Sequence, residues 1–155
     1  MYDAHNESVY TFKWSTSDTR IHNIIQTANK SFQEENGLVY NNNMHNDDDY
    51  PAFKAAIANN GTLVPPGCSA WFLPSAYQWK QMIYGAGGAS YLYSMAGLQL
   101  GSYWLSSEHD NSEAWSHSYW YTDPDSEENT LGNIEGYWGN DLKSIGGRVR
   151  ACLAF

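Results

Sequence analysis

The spacing of apolar residues changes once along this chain, and that change limits the folds open to it. In the first half, apolar residues recur at intervals of three and four. Ile21, Ile24, Ile25, Ala28 and Phe32 fall on one helical face behind the polar start Ser17-Asp18-Thr19, and Asn36-Gly37 is expected to end that helix. A second, short helix is predicted from Pro51, a residue suited to a first turn; Phe53, Ala56 and Ile57 face inward, and Asn59-Asn60-Gly61 stops it. Between the two, the run from Asn41-Asn42-Asn43 to Asp47-Asp48-Asp49 reads as a solvated loop. Its acidic residues lack the alternating ligands and closing Glu of an EF-hand. Trp71-Phe72-Leu73 reads as a brief buried strand. Ser75 with Gln78 three residues later makes a capping box, and Leu73 and Trp79 are placed as a hydrophobic staple around it. Trp79, Met82 and Ile83 then form an apolar face that ends at Gly85-Ala86-Gly87-Gly88. Residues 91–100 fit a short helix and an irregular segment equally.

The last third follows a different rule. Residues 103–107 and 114–120 read as strands joined by the turn His109-Asp110-Asn111-Ser112. Residues 148–155 read as a closing strand with Val149, Ala151, Leu153 and Phe155 on one buried face, and 121–141 as a long polar stretch. Helices first and strands last predict an α+β class. A length of 155 residues suits one domain, 1–155, with a core of its own.

Charge narrows the function classes. The chain carries 17 Asp and Glu against 8 Lys and Arg, a net of -9 with His neutral. That balance argues against nucleic acid, which needs a basic stripe, and against anionic lipid. Charged residues are only 16%, so the chain is not a disordered acidic tail. No apolar run approaches the ~20 residues of a membrane span, so direct membrane insertion is not expected. The first seven residues lack the basic and apolar regions of a signal peptide, which leaves room for natural chain upstream of Met1. Cys68 and Cys152 fit no metal spacing; one bridge and two buried thiols are both compatible with the pair.

No catalytic set stands out. His5, His22, His45, His109 and His117 are scattered, and no Cys lies near the last two to complete a zinc site. Ser106-Ser107 lacks the glycines of a nucleophile elbow. Asp123 and Asp125 lie in a polar stretch that would not raise a carboxylate pKa. Composition is more informative. Between Gly101 and Lys143, 21 of 43 residues are Ser, Tyr, Asn, Asp or His, punctuated by Trp104, Trp115, Trp120 and Trp138. This mixture of rigid aromatic area and small adaptable polar groups is the chemistry of a paratope; a twisted polar β region with ordinary turns has it too.

Several separated blocks occur in an informative order: Trp71-Phe72-Leu73-Pro74-Ser75-Ala76-Tyr77-Gln78-Trp79, Tyr103-Trp104-Leu105-Ser106-Ser107-Glu108, Ala114-Trp115, Lys143, and Arg148-Val149-Arg150-Ala151-Cys152-Leu153-Ala154-Phe155. From about residue 61 onward they resemble the C-type-lectin-fold domains of gut Bacteroidales surface proteins and of the variable proteins of diversity-generating retroelements. The resemblance implies helices packed on a small twisted antiparallel sheet with long irregular loops. It implies an extracellular, cell-surface or phage-particle location and an unknown protein or glycan ligand, bound without a cofactor. In such systems adenine-directed mutagenesis rewrites Asn-type codons, giving Ser, Asp, Tyr, His, Gly, Thr or Ile. On that basis His109, Asp110, Asn111, Ser112, Ser116, His117, Ser118, Tyr119, Ser144 and Ile145 are the expected ligand-binding residues, forming one exposed face with Tyr119 and Trp120 as outward anchors and with Trp104 and Trp115 supporting it from below. Gly146 and Gly147 fit the variable class as well. Glu108, Glu113, Trp115 and Lys143 are expected to be fixed scaffold. Leu105, where the family usually has Ser, and the Glu-rich stretch 122–138 depart from the pattern.

Two alternatives accompany this reading. Calcium-dependent lectins hold sugar with a Glu-Pro-Asn or Gln-Pro-Asp loop and a later Trp-Asn-Asp. Asp123-Pro124-Asp125 with Glu127, followed by Asn140 and Asp141, is a similar order of oxygen ligands for Ca2+, but Gly139 splits the second triplet. Formylglycine-generating enzymes share the fold, yet their oxidoreductase chemistry needs a cysteine pair near the site, and this chain has only Cys68 and Cys152. The expectation is therefore a binding domain, not an enzyme, whose acidic surface favours a basic or neutral partner.

Overall fold

A computed structural model describes residues 11–17, 37–44, 48–122 and 133–155. They form an α+β fold in which helices pack on a five-stranded open sheet. In chain order the elements are β1 (Thr11–Lys13), α1 (Gly37–Met44), α2 (Pro51–Ala58), α3 (Ala76–Ala86), α4 (Ala89–Met95), β2 (Gly101–Glu108), β3 (Glu113–Tyr121), β4 (Ile134–Leu142) and β5 (Gly146–Arg148). The sheet order is β1-β5-β2-β3-β4. Its pairs are antiparallel except β2 with β5, which meet in parallel at Tyr103 and Arg148. The sheet is thus mixed, not purely antiparallel.

The helices follow their local chemistry. Pro51 opens α2, and Asn59 closes it in the left-handed conformation, so the stop falls where the sequence places it. Ala52, Phe53 and Ala56 are its buried face. Ser75 caps α3: its Oγ accepts from the Gln78 N–H while the Gln78 Oε1 accepts from the Ser75 N–H, 3.0 Å away. Gln78 Oε1 also accepts from Gly37 N–H, which ties the start of α1 to the start of α3. A Cβ on Gly37 would lie 2.2 Å from the Leu73 carbonyl oxygen, so only glycine allows this approach.

Two apolar clusters hold the sheet. One gathers Trp14, Phe53, Ala56, Leu73, Trp104 and Ala114 between the sheet and α1–α2. The other gathers Trp79, Tyr93, Tyr103, Leu105, Trp115 and Tyr119 between the sheet and α3–α4. Trp14 and Trp104 are fully buried, and each indole N–H is satisfied by a backbone carbonyl: Trp14 by Leu105 and Trp104 by Phe12, both at 2.7 Å. Burying these rings without those partners would strand a polar group in the core.

Several sequence expectations need correction. Asn41-Asn42-Asn43 lie inside α1, not in a loop, because Asn41 is buried and its Oδ1 accepts from the Leu73 N–H at 2.9 Å. Gly37 lies within α1. The expected helix over Ile21–Phe32 lies outside the described residues. Residues 91–95 are helical, within α4. Trp71 is half-buried, and Phe72 makes only an isolated bridge, to Cys152. The closing strand is three residues long and ends at Arg148, because beyond it the chain leaves the sheet to pair with Phe72 and Ser69. Leu153 is consequently half-buried and Phe155 fully exposed. The stretch read as polar contains β4, paired with β3 along its whole length. Cys68 and Cys152 are free thiols, and burial pushes the Cys152 thiol up to about 12.

Candidate binding face

The site begins with strand alternation. Successive residues of a strand point to opposite faces, so the run 116–119 of β3 cannot share one exposed surface. Register gives the partition. Ser116 pairs with Trp104 and Gly139, Ser118 with Ser102 and Tyr137, and Trp120 with Glu135. These residues share the face away from α3 and α4. His117 pairs with Tyr103 and Trp138, and Tyr119 with Gly101 and Gly136, on the helix-facing side.

The helix-facing side chains are core. Tyr119 is fully buried, 4.8 Å from the His117 ring and 5.3 Å from Tyr93, so it is not an outward anchor. His117 is buried against Trp79, Trp138 and Gly136, where a Cβ on Gly136 would lie 2.4 Å from its Cε1. Burial brings the His117 imidazole down to about 4 and raises the Tyr119 phenol. Both were expected on the binding face, and the strand period excludes them from it. Gly147 is also excluded from variation, since its Cβ would sit 2.5 Å from the Trp104 indole nitrogen; a Cβ on Gly146 would sit 2.8 Å from Thr11 Oγ1.

The opposite face is polar and aromatic. Ser102 and Ser118 hydroxyls lie 2.7 Å apart. Trp120 and Tyr137, 50% and 48% exposed, flank them, with the Tyr137 hydroxyl donating to Glu135. Ser116 is buried, and its Oγ donates to Asp141 Oδ2 at 2.7 Å, so it supports this face from within. Trp104 and Trp115 are buried, as expected of supports. Sequence reasoning passed over Ser102, Glu135 and Tyr137. Extending the period-two pattern of Ser116, Ser118 and Trp120 across a paired strand would have found them.

One end of the face is closed by paired turns. Asp110 Oδ1 accepts from the N–H groups of Ser112 and Glu113, both at 2.8 Å, which shapes the turn between β2 and β3. Burial pushes the Asp110 carboxyl upward, but these bonds, with those of the Ser112 hydroxyl and His109, outweigh it and hold the group below its ordinary value. Lys143 fixes this turn to the segment after β4. Its fully buried Nζ donates to Glu108 Oε1 at 2.6 Å and to the carbonyls of Asp110 and Asn111 at 2.9 Å each, and it lies 4.9 Å from the Trp14 ring centroid. All three ammonium N–H groups are engaged. Asn111, Ser144 and Ile145 are exposed beside this anchor, and His109, Asp110 and Ser112 are half-buried. The structure therefore brings together the turn residues, Ser144 and Ile145 at one end and Ser118 along the adjoining face. From Ser112 to Trp120, eight strand steps give a surface about 27 Å long.

Among the described residues, metal chemistry has one geometric opening. His109 Nδ1 lies 3.5 Å from Asp110 Oδ2 and 3.3 Å from Glu113 Oε2, and these three residues can present ligand atoms within 4.8 Å of one another. The other set does not assemble in what is described: Asn140 donates to Glu113 on one side of the sheet, while Asp141 accepts from Ser116 on the other. Asp123, Asp125 and Glu127 lie outside the described residues. No helix among the described residues is long and apolar enough to cross a membrane. Comparison of the chain with protein-family models, curated proteins and solved structures finds no match.

Proposed function

We propose that this chain is a C-type-lectin-like ligand-binding domain of a cell surface or phage particle, not an enzyme, and that it recognises a protein or glycan noncovalently. Its binding surface is the outward face of β2–β3–β4 together with the turns around Asn111 and Ser144. The observation that carries this reading is a separation of roles. Ser118, Trp120, Glu135 and Tyr137 point outward from strands whose register is set elsewhere, by the buried Glu108–Lys143 pair and the Trp14 and Trp104 anchors. Exposed side chains on such a frame can change without moving the backbone. Trp120 and Tyr137 supply apolar contact area at small entropic cost, and Ser102, Ser118 and Asn111 supply adaptable hydrogen bonds. Glu135 and Asp141 make the face acidic, which favours a basic or neutral partner.

Helices packed on a small sheet, with the long irregular segment 62–75 between α2 and α3, support the lectin-like assignment. The test is binding of the labelled domain to a panel of immobilised glycans and to cell surfaces, with and without EDTA. The expected result is EDTA-resistant binding that Trp120→Ser with Tyr137→Ser abolishes at unchanged melting temperature. Binding indifferent to that double substitution would refute the site. Binding that EDTA removes would favour the calcium lectin.

A further inference from the structure

A second concave site lies at the other edge of the sheet from β4. It is a groove of about 660 Å³, a volume suited to a small organic ligand. One wall is the α2 surface at Pro51, Ala55 and Ala58; the other is the chain leaving β5 at Val149 and Ala151. Leu98 and Tyr103, 6% and 4% exposed, line it more deeply. These walls are mostly apolar.

The charge of the groove runs against that of the chain. Only 8 of 155 residues are Lys or Arg, and three of these, Lys54, Arg148 and Arg150, line this one groove, against one acid, Asp48, among the described lining residues. Asp48 is engaged by Lys54. Arg148 is held in place: its Nε donates to the Leu100 carbonyl at 2.8 Å and its Nη1 to Gln99 Oε1 at 2.9 Å. The same Gln99 is clamped through its backbone. Its N–H donates to the Tyr103 hydroxyl at 2.7 Å, and that hydroxyl donates to the Gln99 carbonyl at 3.0 Å. Arg148, Gln99 and Tyr103 thus form one preformed polar corner against apolar walls. Arg150 is exposed beside it, and no described residue forms a hydrogen bond or ion pair with it.

We infer that this groove is a second binding site, for a small amphipathic carboxylic acid whose apolar tail lies along Ala55, Leu98 and Val149 and whose carboxylate meets Arg150 at the polar corner. The chemistry of recognition is specific. A guanidinium fork matches the two oxygens of a carboxylate, and apolar walls reject a strongly hydrated inorganic anion. On a chain with a net charge of -9, a local cationic cluster is where an organic anion is attracted and not repelled. The site is independent of the face on β2–β3–β4, with which it shares no lining residue named above.

The probe is octanoate, titrated into the full chain and followed by backbone amide shifts, with octanol and octylammonium as comparators. Saturable octanoate shifts are expected at Leu98, Val149 and Ala151. Octanol is expected to bind more weakly and octylammonium not to bind there. Arg150→Glu should weaken octanoate by about tenfold or more, the scale of losing one charged pair. Ala58→Trp, at an exposed wall position, should block the groove while leaving the fold intact. The double substitution Trp120→Ser with Tyr137→Ser should leave octanoate binding unchanged, which separates this test from that of the other face. The inference is overturned if octanoate shows no saturable shifts at these amides, if octylammonium binds there as well, or if folded Arg150→Glu and Ala58→Trp proteins bind octanoate as the parent does.

Discussion

Replacing Lys143 with Met tests whether the buried pair, and not the turn sequence, fixes the end of the binding face. The side chain is fully buried and so is Glu108. Met retains most of the aliphatic stem and removes the charge. Three hydrogen bonds are lost, to Glu108, Asp110 and Asn111, and the cation over Trp14 is lost with them. Breaking a buried ion pair from one side costs about 3–5 kcal/mol, because the remaining charge is uncompensated. A marginally stable domain of this size has only about 5–15 kcal/mol in total, so Lys143→Met should sit close to unfolding at 37 °C. The assay is urea denaturation of the parent, Lys143→Met, Glu108→Leu and the double variant, which makes a double-mutant cycle. The double variant should recover much of the loss, since an apolar pair of similar volume carries no desolvated charge. The turn should nonetheless loosen in it, with faster amide exchange at Asn111 and Ser112, because the carbonyls that Lys143 held have no donor. A single-variant cost below about 1 kcal/mol, or a double variant no better than the worse single one, would refute the argument.

The buried histidine gives a signed pH dependence. His117 is neutral when folded, near 4, while the unfolded chain takes up the proton near 6.5, so stability is complete above 6.5 and falls as the pH drops from 6.5 to 4. The loss amounts to about 3 kcal/mol, and His117→Leu should remove this part of the acid limb in denaturant titrations at several pH values. Ser75→Ala should cost about 1 kcal/mol through the α3 cap, measured by thermal melting. Gly147→Ala should cost about 1–3 kcal/mol by forcing a Cβ against the Trp104 indole, with a change in near-ultraviolet circular dichroism as that ring shifts.

Local chemistry was legible where one residue decides one structure. Ser75 with Gln78, Pro51, Asn59 and the turn at 109–112 all fall where their side chains place them, because caps and turns are settled within four residues. Scaffold roles for Glu108, Trp115 and Lys143 agree with their burial. What failed depended on partners distant in sequence. The Asn-rich run became helical because Asn41 satisfies a backbone N–H on Leu73, 32 residues away. Arg148 to Phe155 has a strand-like alternation, yet of this stretch only Arg148 is paired with β1 and β2 among the described residues. β4 was missed because Gly136 and Gly139 dilute its pattern, and Gly136 is there for close packing on His117 of β3. The binding residues were mixed because their composition marks a segment and says nothing of sides. Ser118 and Tyr119 belong to the same class of residue, and the strand period sends one outward and the other into the core.

The most direct test of the binding face is a substitution scan across residues 101–148, read in two channels from the same display library: protease resistance for folding and retention on the recognised cell surface for binding. Substitutions at Asn111, Ser118, Trp120, Glu135 and Tyr137 should lower retention while leaving protease resistance intact. Substitutions at Trp104, Glu108, Tyr119, Lys143 and Gly147 should lower both together. If the exposed positions prove silent in the binding channel, or lose binding only where folding is lost, the outward face of β2–β3–β4 is not where this protein meets its ligand.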